Sequence, residues 1–403
     1  MSAPTQEPGV WADLVGQQRA VDTLRRAVAN ERHAMTHAWL VTGPPGSGRS
    51  NAARAFAAAL QCPRGGCGSC NECRTALSGA HPDVTLIRTE QLSIGVDEVR
   101  DLVRRAAMSP TNGRYQVIIV EDADRVTDRG ADALLKALEE PAPTTVWVLC
   151  APTADDVIVT IRSRCRQLAL STPSDDAVAE LLVWRDGIDP ALAAHAARAA
   201  QGHIGRARAL ARNEEARNRR HEVLTIPARL TSVGACLTAA DNLVKAAAEE
   251  ASTSTAAIDA RERAELEQAL GFGTKGARPR QAAAAIRDLE DQQKARAKRI
   301  QRDALDRVLT ELTTFYRDVL ALQTGALAAP QSAQELHSGG QASGPHLING
   351  EIRPQLERAA RASSPERTLR RIDAIIGCRV ALETNVAPLL AMEALLLELA
   401  DRG

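Results

Sequence analysis

The segment Gly43-Pro44-Pro45-Gly46-Ser47-Gly48-Arg49-Ser50 has the spacing of a phosphate-binding loop, with arginine where the pattern G-x-x-x-x-G-K-[ST] asks for lysine. In such a loop, backbone N–H groups and the following helix N-terminus cradle phosphate, the lysine reaches the β and γ oxygens, and the hydroxyl ligates Mg²⁺. Gly43, Gly46, Gly48 and Ser50 supply the backbone and hydroxyl parts. Arg49 keeps the charge but puts a rigid planar fork in place of a compact ammonium. An apolar run at residues 38–42 precedes the loop and an alanine-rich stretch at 51–60 follows it, giving the required order of strand, loop and helix. The plainer alternative is an ordinary strand-to-helix turn, with Arg49 reflecting a chain that uses arginine far more than lysine.

A second group is Cys62-Pro-Arg-Gly-Gly-Cys67-Gly-Ser-Cys70-Asn-Glu-Cys73, which holds four of the eight cysteines. Two short C-x-x-C turns share Cys70, and glycines between the cysteines permit tight turns, so four thiolates can converge on one tetrahedral zinc. Four protein ligands leave no open position, which makes the expected role structural; a redox C-x-x-C is the other reading. Cys150, Cys165, Cys236 and Cys378 are scattered among apolar neighbours and read as small core residues.

The third group is acidic. An apolar run at 116–120 ends in Glu121 and Asp122, where phosphate-loop ATPases place an aspartate for Mg²⁺ and a glutamate for the attacking water. The two acids are swapped here, and displacing a carboxylate by about an ångström can cost on the order of 100-fold. Alternatively the acids cap the next helix.

The elements that must position these groups follow from patterning. Residues 84–87, 116–120 and 146–151 read as buried strands; 96–107 and a segment from Thr127 or Asp128 to Glu139 read as helices, the latter stopped by Pro141. Ser174 is placed to cap a helix over 175–184, and a small helical region runs to about residue 212. Beyond it the chain reads as all-helical, with apolar stripes at Leu237, Ala240, Val244 and Ala247, and at Ile300, Ala304, Leu305, Val308, Leu309 and Leu312, continuing through Tyr316, Val319 and Leu320. Pro388 suits the first turn of a last helix over 387–399. Segments 271–280 and 324–350 read as exposed loops, the second a flexible insertion. Lys294, Arg296, Lys298, Arg299 and Arg302 are candidates to touch DNA phosphate, balanced by Asp288, Glu290 and Asp291.

With 403 residues the chain exceeds one typical core. Fifty basic and fifty acidic residues cancel, which argues against whole-molecule attraction to nucleic acid. Aromatics at 2% leave few platforms for single-stranded bases. No run of about 18 apolar residues is present and the N-terminus lacks a signal-peptide pattern, so a cytoplasmic chain with no membrane contact is expected.

The order of phosphate loop, four-cysteine insertion, acid-ended strand, Leu134-Leu135-Lys136-Ala137-Leu138-Glu139-Glu140-Pro141 and Thr160-Ile161-Arg162-Ser163-Arg164-Cys165 closely resembles the bacterial clamp-loader AAA+ ATPases, and Val15-Gly16-Gln17 resembles their N-terminal nucleotide-edge box. The motors of that family keep lysine in the loop and Asp-Glu at the strand end; this chain keeps neither, which resembles a non-hydrolysing stator. The resemblance implies a zinc-bearing α/β core at 1–170, a helical lid at 171–212 and a helical collar at 213–403. It implies Arg164 as an arginine finger acting on ATP held by a neighbouring subunit, against the plainer reading of a salt bridge at a strand end. Thr153 takes the place of the sensor-1 polar residue and Arg206 that of the sensor-2 arginine, though a turn cap and a solvated helix residue are open for them. The implied partners are the other subunits of a hetero-pentamer, the sliding clamp and primer-template DNA, within a DNA polymerase holoenzyme, with ATP and Mg²⁺ uncertain in this chain. Two other readings stand beside it: an active motor of the same family, and a zinc-dependent DNA- or protein-binding adaptor.

Overall fold

The computed structural model describes residues 9–31, 33–89, 93–270, 280–326, 346–384 and 386–400. The chain divides into two compact units, Met1–Arg212 and Asn213–Gly403.

In the first unit, β1 (Ala38–Thr42), β2 (Val84–Ile87), β3 (Gln116–Val120), β4 (Thr145–Ala151) and β5 (Arg166–Ala169) make one sheet in the order β2-β3-β4-β1-β5, every pairing parallel. A parallel sheet needs crossovers, supplied by α2 (Arg49–Gln61), α3 (Asn71–Ser78), α4 (Val96–Ala106), α5 (Asp128–Glu139) and α6 (Val159–Arg162), while α1 (Gln18–Val28) precedes β1. Successive strand residues point to opposite faces. Trp39, Val41, Val117, Ile119, Val146 and Val148 therefore join one core with α1 and α2, while Leu40, Ile118, Val120, Trp147 and Leu149 join another with α4 and α5. Burial on both faces is why these strands read as near-continuous apolar runs.

Register decides where the chemistry sits. Thr42 lies opposite Ala151 and Ala169, and Val120 opposite Leu149. The segments leaving β1, β3 and β4 thus emerge at one carboxyl edge, where ligands of open parallel sheets bind. Thr127 caps α5 by accepting from the Gly130 amide, and Ser174 caps α7 (Asp175–Asp186) by accepting from the Ala177 amide at 3.2 Å. Two further helices, α8 (Pro190–Ala200) and α9 (Ile204–Arg212), complete the unit.

The second unit contains α10 (Glu214–Arg229), α11 (Val233–Ala269), α12 (Arg280–Gln323), α13 (Arg353–Arg361), α14 (Pro365–Glu383) and α15 (Pro388–Ala400). The long pair α11 and α12 runs antiparallel, since Arg307, Arg296 and Arg263 meet Glu250, Asp259 and Glu290 in turn. One end of the pair joins the apolar core through Cys236, Ala240, Leu305, Leu309 and Leu312. The other is laced by ions: Arg296 is buried and paired with Asp259 at 2.7 Å and Glu262 at 2.8 Å.

Three expectations change. Arg296 is committed to that internal pair and is not available to DNA phosphate. Leu237 is 39% exposed rather than in the core, while Ala240 and Ala247 of the same stripe are buried. Most of both expected loops, 271–279 and 327–345, lies outside the described residues, but Arg280 is already helical and Ile348 and Asn349 are buried. Asn349 is held there by Asp318, which accepts from its backbone and side-chain N–H groups at 2.8 and 2.9 Å.

Candidate metal centre and phosphate loop

Helix α2 has a candidate site at each end. At its C-terminus, Cys62, Cys67, Cys70 and Cys73 bring their Sγ atoms within 4.8 Å of one another. Cys62 lies 3.7 Å from both Cys67 and Cys70, far beyond a disulfide bond of about 2.05 Å. With Zn–S bonds of about 2.3 Å, the edge of a tetrahedron is about 3.8 Å, so the four sulfurs could hold zinc. The backbone amides of Arg64 and Cys67 donate to Cys62 Sγ, that of Gly68 to Cys73 Sγ and that of Cys73 to Cys70 Sγ, each at 3.4 Å. Such donors stabilise thiolates. The Ser69 amide and hydroxyl bring the Cys67 thiol down to about 5, whereas burial pushes that of Cys73 up.

The glycines between these cysteines do more than turn the chain. Gly66 has φ +107°, and a Cβ there would come within 2.8 Å of Val10; one on Gly68 would lie 3.0 Å from Gly9. The segment Gly9–Trp11 seats in that space, with the Val10 amide donating to the Gly66 carbonyl at 3.0 Å.

At the N-terminus of α2, Gly48 is the N-cap with φ +96° and no side chain caps the helix. The first-turn amides are thus open toward the carboxyl edge. Gln17, 4% exposed, ties the loop down: its Nε2 donates to the carbonyls of Ser171 at 2.6 Å and Ser47 at 3.5 Å, and its Oε1 accepts from the Ser171 amide. Arg49 folds back to donate to the Gly43 carbonyl. Ser47 Oγ is buried with no hydrogen-bond partner among the described residues.

Glu121 leaves β3 next to this loop and is 7% exposed in its side chain; it is paired with Arg54 Nη2 at 3.0 Å. Asp122 follows as the residue before a short 3₁₀ turn, Ala123–Arg125. Thr153, just past β4, is exposed and gives both its amide and its hydroxyl to Asp156 at 2.8 Å, as a turn cap does. Arg206 lies in the first turn of α9, and its amide donates to His203 Nδ1 at 3.1 Å. The carboxyl edge of the sheet therefore brings the loop, the two acids and Thr153 together. Arg164 lies apart, exposed just beyond α6, where it donates to the Thr160 carbonyl at 2.8 Å and pairs with Glu139.

Two residues of this site escape a reading by motif. Arg54 left one sign, since it is the charged residue inside the alanine run that follows Ser50. His203 left none: a Cβ on Gly46 would lie 2.2 Å from its ring, and the Ile204 amide donates to the Gly46 carbonyl at 3.4 Å. Burial, then the charges of Arg206 and Arg49, lower the His203 pKa.

Residues 16–174 match the family described as DNA polymerase III, delta subunit. The delta' subunit of DNA polymerase III from Pseudomonas aeruginosa is 38% identical over 152 residues, covering 36% of this chain and 46% of that protein. That of Bacillus subtilis is 30% identical over 213 residues, covering 52% and 64%. The gamma/tau subunit of Mycobacterium tuberculosis is 35% identical over 162 residues, covering 39% and 28%. The chain thus spans less than two thirds of the length of each of these relatives. Over the matched residues the chain is similar to the delta' and gamma/tau subunits of DNA polymerase III.

Proposed function

We propose that this chain is a delta'-like subunit of the DNA polymerase III clamp loader, supporting ATP-dependent loading of the sliding clamp onto primed DNA without hydrolysing ATP itself. The observation that carries this reading is the match of residues 16–174 to the delta family. The loop chemistry agrees with it: Arg49 is turned onto the loop's own carbonyl and Glu121 is engaged by Arg54. Zinc in the Cys62, Cys67, Cys70 and Cys73 cluster would hold the fold and take no part in chemistry. Thr153 and Arg206 would keep sensor positions beside a nucleotide that is not turned over.

Arg164 would act outside this chain. Exposed beyond α6 and restrained by Glu139, it would present its guanidinium to ATP held by a neighbouring subunit, an effect worth roughly 10³–10⁵ in rate in related chemistry. In the helical unit Leu369, Ile376 and Val380 of α14 are 49%, 49% and 52% exposed and share one face, with Leu390 of α15 60% exposed. Such apolar surface suits a collar that meets helices of other subunits.

The test is reconstitution with the remaining loader subunits and assay of DNA-stimulated ATP hydrolysis and clamp loading. Arg164→Ala should assemble normally, and the site it serves should lose about 10³-fold or more. The gamma/tau relatives favour a second reading, an active motor. Robust turnover by the isolated chain, abolished by Ser50→Ala, would replace the first reading with the second.

A further inference from the structure

Arg54 follows Ser50 by four residues in α2, so both side chains leave the same face of the helix one turn apart. In a hydrolysing phosphate loop that face borders the Mg²⁺, held between the loop hydroxyl and the acid at the end of the neighbouring strand. Here the acid in that place, Glu121, is already bound to Arg54 Nη2 at 3.0 Å and is almost wholly buried. Mg²⁺ demands near-octahedral oxygen ligands at about 2.0–2.1 Å and gives up its waters reluctantly. A carboxylate satisfied by a guanidinium on the same side is a poor candidate for it. A second guanidinium, that of Arg49, lies on the loop itself at the Gly43 carbonyl. Glu121, so engaged, does not fit the role of metal ligand that its place at the end of β3 would give it.

We propose that Arg54 is the resident cation of this loop, and that the loop takes a nucleoside di- or triphosphate as the free anion rather than as its magnesium complex. The amides at the start of α2, uncapped by any side chain, supply the anion cradle. Arg54 neutralises Glu121, which would otherwise repel the phosphates, and takes from the metal the carboxylate that ends β3. This rests on the nucleotide-site part of the reading above and is independent of whether the chain assembles with a clamp loader.

The experiment is calorimetric titration of ADP into the full chain, once in EDTA and once in excess Mg²⁺. The wild-type dissociation constants should agree within about threefold. Arg54→Gln, which frees the Glu121 charge, should bind at least tenfold more weakly in EDTA and recover when Mg²⁺ is added. Arg54→Lys, which keeps the charge, and Glu121→Gln, which removes the acid, should both stay insensitive to the metal; they carry the test if Arg54→Gln fails to fold. Wild-type binding ten times tighter in Mg²⁺, metal dependence in Glu121→Gln, or no ADP binding in either buffer would overturn the proposal. The last of these would leave the clamp-loader reading to be judged by reconstitution alone.

Discussion

The two ends of α2 solve the same problem in opposite ways. Each is a glycine-rich turn that holds the chain in left-handed conformations, at Gly46 and Gly48 on one side and at Gly65, Gly66 and Gly68 on the other. At the C-terminal end four like groups converge: sulfurs within 4.8 Å of one another, with backbone amides aimed at them. Thiolates so placed repel one another, and a cation from outside would complete the arrangement. At the N-terminal end unlike groups converge. Arg54 meets Glu121, Arg49 meets a carbonyl, and His203 lies against Gly46, so these polar groups find partners within the chain. A cluster of like charges advertises its ligand; a cluster of opposite charges can close on itself and lose one.

The largest effect should come from breaking the first arrangement. Structural zinc binding is worth about 10–16 kcal/mol in small zinc domains, so Cys73→Ser should lose its metal, about one zinc per chain, and unfold at a markedly lower temperature. Because Gly9–Trp11 is seated on the metal loop, chelation should also expose Trp11, seen as a red shift in its fluorescence in a variant with the other tryptophans replaced. Adding or removing Mg²⁺ should change neither readout. A metal-free protein with unchanged melting and emission would show that the cysteine cluster holds nothing together.

A smaller effect is expected on the other side. Gly46→Ala puts a methyl 2.2 Å from the His203 ring at φ +81°, which should cost about 1–3 kcal/mol. Gly48→Ala has a similar strain, φ +96°, but nothing within 4 Å of its Cβ, and should cost about 1 kcal/mol or less. Urea midpoints of the two variants give the difference. Equal costs would mean that His203 is not seated on the loop in solution.

The same contrast sets what could be read from sequence. The cysteine spacing carried its geometry with it, because all four ligands fall within one short segment. The parallel sheet was legible for a similar reason: 38–42, 84–87 and 116–120 are local apolar runs, and each is a strand with those bounds. The loop was legible as a motif, but its state was not. Arg54 and Glu121 are 67 residues apart in sequence, and periodicity says which face a residue occupies, not which distant charge it meets. The ionic end of the α11–α12 pair was not legible for another reason: where Arg296 is buried against Asp259 and Glu262, the interior is made of the residue types that patterning assigns to solvent.

The smallest effect should come from protons at His203. Its Nδ1 accepts from the Arg206 amide at 3.1 Å, which puts the neutral ring's proton on Nε2. Burial first, and then the charges of Arg206 and Arg49, hold its pKa below the usual value. The unfolded chain therefore binds a proton near pH 6.5 while the folded chain does so only at lower pH. Between those two values unfolding takes up a proton, so the contribution is fully present above about 6.5 and is lost as pH falls through the folded value. Cysteine protonation also weakens metal binding as pH falls, so the comparison must be made between metal-loaded wild type and metal-loaded His203→Asn, in which that contribution is common to both. Wild type should lose more stability than the variant on going from pH 7.5 to 5.5. Identical losses would place the acid sensitivity at the cysteines and leave the phosphate loop, with its guanidinium pairs, indifferent to pH across that range.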